Sequence, residues 1–260
     1  MTTRPLFRRL AIAIAGIGLV AAAVITVSAL RPTPSQPIAQ PEGPVTVGDA
    51  AGGTRVLVFG DSWTYGMAAT QPTGGYAYRL SSIGGWQVTV AGEPGSGYLK
   101  PGWWGRTFGE RLETIDASVD PDLIVLQGSI NDRRQPAAGY RDAVTEAWDT
   151  VSERFPDAQV LVLGPAPQVL PVQKATARID SDLAALAAER GWPYVSPIGE
   201  DWITEANYAE VIDSSDFGRD HPSDDGHRYL AEKVAAAIRP LLPQVPVEAV
   251  TEQPEPVLGD

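Results

Sequence analysis

The stretch Arg55-Val56-Leu57-Val58-Phe59-Gly60-Asp61-Ser62-Trp63 decides how the chain is read. Five residues dominated by β-branched and large apolar side chains form a short run that stops at a glycine, the pattern of a strand buried on both faces. Three comparable runs follow, over 86–91, 123–126 and 160–163, and Tyr194-Val195 starts a short fifth. Between them lie segments with helical spacing, over 75–83, 137–154 and 174–190, with Gly191 as the C-terminal stop of the last. A final helix is predicted over 224–238. Continuously apolar strands alternating with helices predict an α/β fold, a three-layer α/β/α sandwich on a central parallel sheet of about five strands. Ligands on such sheets bind beyond the carboxyl ends of the strands, so the residues just after each strand matter most.

Composition narrows the chemistry. The 260 residues contain no cysteine, which excludes disulfides, thiolate metal sites and a cysteine nucleophile. His221 and His227 are the two histidines, so any step that needs an imidazole uses one of them. The net charge is −12, but Arg4, Arg8, Arg9 and Arg31 share the first 31 positions with no acid. The rest of the chain therefore carries 16 basic against 32 acidic groups, a surface that repels nucleic-acid backbones.

The ends read differently from the middle. Residues 10–30 are uncharged, follow three arginines, and as a helix would span about 30 Å, the thickness of a bilayer core. Residues 1–31 are thus expected to be a signal anchor, or a cleaved signal peptide with Val27-Ser28-Ala29 as the small-residue site. The basic flank stays in the cytoplasm and the rest of the chain lies outside it, tethered or secreted. Residues 32–53, with Pro32, Pro34, Pro37, Pro41 and Pro44, read as an extracytoplasmic spacer. The folded domain is expected over 54–242. The tail 243–260, with Pro243, Pro246, Pro254, Pro256 and several acids, reads as disordered.

At the strand ends stand Gly60-Asp61-Ser62, then Gly92-Glu93-Pro94-Gly95, then Ser129-Ile130-Asn131-Asp132, and before the last helix Asp220-His221-Pro222. A serine, a glycine, an asparagine and a histidine in that order, over most of 55–238, resemble the SGNH hydrolases, also called the GDSL esterase family. The resemblance implies a flavodoxin-like sheet and a serine esterase working through an acyl-serine intermediate. Ser62 would be the nucleophile and His221 its base. The backbone N–H groups of Ser62 and Gly95 and the side-chain amide of Asn131 would form the oxyanion hole. No metal or organic cofactor is implied. Serine attack needs a base to take its proton and donors where negative charge develops on the carbonyl oxygen, and these residue types supply both. Asp61 and Asp132 are read as structural. Tyr98, Trp103 and Trp104 either line the acyl or sugar side of the site or form a packing patch.

The sequence departs from the family at two places. Ser129 stands where the third motif has glycine. The family also places an aspartate three residues before its histidine, and before His221 that position is Gly218. For His227 it is Asp224, so His227 remains an alternative base. With His221 as base, Asp216 or Asp220 could orient it, or Asp213, or no acid at all. The acids over 213–225 read as a solvated loop, with calcium binding as the lesser reading. Export suggests an acyl-ester substrate among envelope lipids, acylated glycans or small diffusible esters. Two alternatives keep the scaffold: an O-acyltransferase acting on envelope glycans, and a non-catalytic binding domain for which the missing aspartate is the argument.

Overall fold

The computed structural model describes residues 42–49 and 53–242. The apolar N-terminal segment, most of the proposed spacer and the tail 243–260 lie outside the described residues.

Six strands form one sheet in the order β1-β3-β2-β4-β5-β6. They are β1 (Val45–Val47), β2 (Arg55–Gly60), β3 (Gln87–Gly92), β4 (Leu123–Gln127), β5 (Gln159–Leu163) and β6 (Tyr194–Val195). All neighbouring pairs from β3 through β6 are parallel, and β1 alone runs antiparallel, against β3. Without β1 the parallel strands have the flavodoxin-like order, whose crevice opens where the chain reverses direction across the sheet. Here that point lies between β2 and its neighbour β4.

The edge strand corrects one expectation. The composition of residues 32–53 predicts spacer throughout, yet Val45–Val47 pairs with Val88–Val90 and Thr46 Oγ1 lies 2.9 Å from Thr89 Oγ1. Three residues bounded by Pro44 and Gly48 are too short a run to show strand periodicity. The domain therefore begins about ten residues earlier than the composition suggested.

Alternation along each strand sorts the core into two layers. Val56, Val58, Val88, Val90, Leu123, Val125, Leu161 and Leu163 face one cluster, under the helices Tyr76–Gly84 and Asp224–Ile238. Leu57, Phe59, Ala91, Ile124, Leu126, Val160 and Val162 face the other, under Phe108–Leu112, Tyr140–Arg154 and Lys174–Arg190. A sheet buried on both faces explains why its strands read as unbroken apolar runs. The start of β2 is pinned to β4 by Asp122, whose carboxylate accepts from the Arg55 backbone N–H at 2.8 Å and its guanidinium at 3.2 Å.

The helix Asp224–Ile238 is capped by Ser223, whose Oγ accepts from the Gly226 N–H at 2.9 Å. His227, on its first turn, is wholly buried. Its Nδ1 accepts from the Tyr76 N–H at 3.1 Å, and its Nε2 donates to the Met67 carbonyl at 3.0 Å. The ring thereby joins this helix to the start of Tyr76–Gly84. Asp224, the literal motif partner of His227, instead accepts from the Thr70 N–H and hydroxyl at 3.0 and 2.6 Å. His227 is thus a structural neutral imidazole, committed at both nitrogens and unavailable as a base.

Burial pushes the His227 pKa down from 6.5 to about 4. Between those values the unfolded chain holds a proton that the native chain does not, so acidification removes stability across that window. The loss amounts to about 3 kcal/mol by its lower end. Urea unfolding at about pH 7.5 and about pH 4.5 tests this. His227→Gln is expected to be less stable than wild type at the higher pH and to lose less between the two. Equal losses in both proteins would remove His227 from the acid response.

Candidate active site

Ser62 opens the turn after β2, with Asp61 as N-cap: its Oδ1 accepts from the Trp63 N–H at 3.0 Å. Asp61 is fully buried, and burial raises its pKa to about 6. The Gln127 side chain, oriented with its nitrogen toward Asp61, donates to Oδ1 at 3.1 Å and to Thr64 Oγ1 at 2.9 Å. The serine turn is thus tied to the end of β4, across the crevice.

His221 comes from a different part of the chain, a two-residue strand β8 (His221–Pro222) paired with β7 (Ile212–Asp213). Its Nε2 lies 2.9 Å from Ser62 Oγ. Its Nδ1 lies 2.9 Å from the carbonyl oxygen of Gly218. A carbonyl can only accept, so Nδ1 carries the proton and Nε2 is left to accept from the serine hydroxyl. Burial holds the His221 pKa below its usual value, partly offset by the carbonyls of Gly218 and Arg219.

Of the orienting groups the sequence leaves open, Asp216, Asp220, Asp213 or no acid, the structure places no acid on Nδ1. Neither Asp216 nor Asp220 reaches Nδ1, and Asp213 accepts from the Ser215 N–H at 2.9 Å instead. The partner is the backbone of Gly218, the residue that stands where the family has its aspartate. Space explains the glycine: a Cβ there would lie 2.2 Å from both the carboxyl carbon and the carbonyl oxygen of Asp213. An aspartate cannot occupy this position without moving the 213–221 loop. Its carbonyl reaches the ring because Arg219 and Asp220 both adopt left-handed backbone, φ +52° and +59°. Asp220 faces the cavity instead.

The remaining sequence-predicted residues converge on the same place. Ser62, Gly95, Asn131 and His221 line one cavity of about 320 Å³. Gly95 has φ +76°, a conformation that a side chain would strain. Among the described residues neither the Ser62 N–H nor the Gly95 N–H is paired with a protein acceptor. Asn131 Nδ2 spends one hydrogen on the Ser96 carbonyl at 3.0 Å, which aims the amide at the Gly95 loop and leaves its second hydrogen uncommitted. Asp132 is buried and accepts from the N–H groups of Tyr98, Leu99 and Lys100 at 2.7–3.1 Å. Ser129, the non-glycine residue of that motif, donates its hydroxyl to Asp132 Oδ2 at 2.6 Å. The extra hydroxyl is therefore absorbed by the carboxylate rather than displacing Asn131.

The aromatic group divides. Tyr98 belongs to the core, accepting from Trp148 Nε1 at 2.7 Å and packed edge-on against Phe108. Trp104 packs edge-on against Tyr65. Trp103 alone reaches the cavity wall and is 60% exposed.

Arg111 was missed by sequence reasoning. Buried on a five-residue helix, it donates to the Gly60 carbonyl at 2.9 Å, the Ser96 hydroxyl at 2.9 Å and the Ala91 carbonyl at 2.6 Å. Its Nε lies 3.1 Å from Glu93 Oε2. Burial pulls its pKa to about 10, opposed by Glu93. An arginine by itself carries no sign in the sequence that it will be buried. Among the described residues no group of three or more His, Asp or Glu side chains is placed to hold a metal ion.

The chain has relatives in sequence and in fold. A GDSL lipase of Mycobacterium tuberculosis is 31% identical over 196 residues, 70% of this chain and 80% of that protein. The fold is shared with a Mycobacterium smegmatis aryl esterase, at TM-score 0.55 and 18% identity over 73% of this chain and all of that one. It is shared equally with a carbohydrate acetylesterase family member from Sinorhizobium meliloti, at TM-score 0.54 and 16% identity over 73% and 99%. Residues 58–229 match the model of the GDSL-like lipase/acylhydrolase family, and the chain belongs to that family.

Proposed function

We propose that this carboxylic ester hydrolase works through Ser62 and His221 as a catalytic pair oriented by a backbone carbonyl, cleaving acyl esters outside the cytoplasm. The observation that carries the reading is the chain of contacts from Ser62 Oγ through His221 to the Gly218 carbonyl, each 2.9 Å. Ser62 Oγ attacks the ester carbon as its proton passes to His221 Nε2. The carbonyl oxygen, now negative, is received by the N–H groups of Ser62 and Gly95 and by Asn131 Nδ2, each such donor lowering the barrier by about 3–4 kcal/mol. The imidazolium returns its proton to the departing alcohol, leaving acyl-Ser62. Water then enters, loses its proton to the same nitrogen, and releases the acid and the free serine.

The missing aspartate, the one argument for a binding domain without activity, loses its force. An orienting acid chiefly fixes the imidazole tautomer and its direction. The Gly218 carbonyl does both, although as a dipole it stabilises the imidazolium less than a carboxylate would. The tether rests on the arginine-flanked apolar segment 10–30. It would place the enzyme among envelope lipids, acylated glycans and small esters. Fractionating cells and sequencing the mature N-terminus tests this: a cytosolic, uncleaved protein would overturn it.

Treatment with a fluorophosphonate followed by peptide mapping is expected to label Ser62. Ser62→Ala should abolish labelling and ester hydrolysis while leaving the urea midpoint nearly unchanged. A folded wild-type protein that stays unlabelled would sink the mechanism. The base assignment is separable, because His221→Ala should cost on the order of 10³-fold in kcat/KM with His227→Gln still active.

Two further outcomes follow from the carbonyl-held imidazole. Asp216→Asn is expected to keep kcat/KM within about threefold of wild type, whereas loss of a true triad acid costs up to about 10⁴-fold. A large loss would restore Asp216 as the orienting group. Because burial lowers the His221 pKa, the base stays neutral below the usual histidine range. The acid limb of kcat/KM should therefore fall below pH 6.5, the ordinary value for this group. A limb centred above neutrality would contradict it.

A further inference from the structure

The cavity at Ser62 has a charge opposite to that of the chain. In a protein with 32 acidic and 20 basic residues, its lining holds Lys100, Arg133, Arg134 and Arg219 against a single carboxylate, Asp220. Elsewhere Arg55, Arg111, Arg141, Arg178, Arg190 and Arg228 each pair with an acid. Among the described residues no carboxylate lies within 4.0 Å of any of the four cavity cations.

Two of the four are partly spent within the protein. Lys100 Nζ donates to the Gly95 carbonyl at 2.6 Å, and Arg133 donates to the Ile130 carbonyl at 3.0 Å. Arg134 and Arg219 are exposed, and their guanidinium groups make no hydrogen bond to the described residues. Burial and then the adjacent Arg134 lower the Arg133 pKa, opposed by the charges of Asp61 and Asp220. Cations focused in a concave, partly desolvated site raise the local concentration of anions and strengthen their hydrogen bonds.

From this juxtaposition we propose that the enzyme selects esters that carry an anionic group, a carboxylate or a phosphate, seated on Arg134 and Arg219 beside the scissile bond. This rests on the Ser62 reading for the position of the reacting bond, but not for the anion site itself. A long, uncharged acyl chain finds little to hold it in this lining, where Met67, Pro94 and Trp103 are the apolar members. The substrate is therefore a short or polar ester bearing negative charge.

The test compares matched ester pairs with the full chain. One pair places the charge on the alcohol side, 4-carboxyphenyl acetate against its methyl ester. The other places it on the acyl side, monophenyl succinate against phenyl butyrate. Each rate is normalised to its hydroxide-catalysed hydrolysis. At low ionic strength the charged member of one pair is expected to be favoured in kcat/KM by about tenfold or more, shrinking toward parity in about 0.5 M NaCl. The favoured pair reveals on which side the anion sits. Arg134→Gln and Arg219→Gln should each cut that preference by about threefold or more, with the remote Arg141→Gln keeping the wild-type preference. Neutral esters hydrolysed as fast as charged ones at low salt would overturn the proposal and leave the esterase reading intact. If Ser62 is unreactive and no ester is cleaved, calorimetry with 4-hydroxybenzoate and monomethyl succinate still decides the anion site. Salt-sensitive binding lost in the Arg134→Gln/Arg219→Gln double variant supports it, and absence of binding refutes it.

Discussion

A single guanidinium, that of Arg111, is buried where the carboxyl ends of β2 and β3 come together, and the geometry of the serine turn hangs on it. It accepts no hydrogen bonds and donates to carbonyls on both strands, Gly60 next to the Ser62 turn and Ala91 on β3. A further donation goes to Ser96, next to Gly95. Glu93, its ionic partner, meanwhile accepts from the Trp104 N–H at 2.7 Å and so holds the segment that carries Trp103 to the cavity. The pair thus couples two strand ends and one long loop through a few short contacts. Breaking such a pair by removing one partner commonly costs about 3–5 kcal/mol, because the other charge is left buried and unmatched. The stacking of Arg111 over Phe59, at 4.4 Å, adds a second reason why lysine would not serve in its place.

Asp132 does for the other side of the cavity what Arg111 does for the first. Three backbone N–H groups and one hydroxyl converge on its carboxylate. Burial by itself raises a carboxyl pKa and disfavours the ion, and these four donors oppose that. The result is a rigid link from the loop after β4, which carries Asn131, to the loop after β3, which carries Gly95. Preorganised donors are useful to catalysis because they need no rearrangement as charge develops. Here the two buried charged groups supply that rigidity from opposite sides, while among the described residues the Ser62 and Gly95 N–H groups stay without a protein acceptor.

Much of this was legible in the sequence, and the exceptions share a cause. The helix Asp224–Ile238 has helical periodicity and the strands are unbroken apolar runs, and their bounds in the structure fall within a residue or so of the reading. Ser62, Gly95, Asn131 and His221 were legible because each sits at the end of a strand or the start of a helix, where pattern marks the place. What was not legible depends on contacts between residues far apart in the chain. Strand β1 exists only because β3 offers it an edge some 40 positions later. Arg111 looks like any helical arginine until the strand ends surround it. The sequence leaves the orienting group of His221 open, because a backbone carbonyl leaves no mark in it. Gly218 did leave one, as a departure from the family pattern, but only the neighbouring Asp213 shows why no side chain fits there.

The turn at Arg219 and Asp220 links that departure to the chemistry of the cavity. Two consecutive non-glycine residues in left-handed backbone cost roughly 1–3 kcal/mol each, and such strain persists only where surrounding contacts impose it. The contacts are present: the Asp220 N–H donates to the Asp213 carbonyl at 3.0 Å, and the Arg219 N–H to the Ser215 carbonyl at 2.8 Å. One consequence is that the Gly218 carbonyl meets Nδ1 of His221, standing in for an acid. The other is that Arg219 and Asp220 come to line the cavity, bringing a cation to the rim where the usual motif would have its aspartate directed at the histidine. On the proposed mechanism, exchanging the carboxylate for a carbonyl weakens stabilisation of the imidazolium, and it also removes a negative charge from beside the reacting serine. In a cavity with four cations, that second effect raises the positive potential felt by the oxyanion and by any anionic substrate alike. The same turn therefore trades strength in the base for field at the reacting carbonyl.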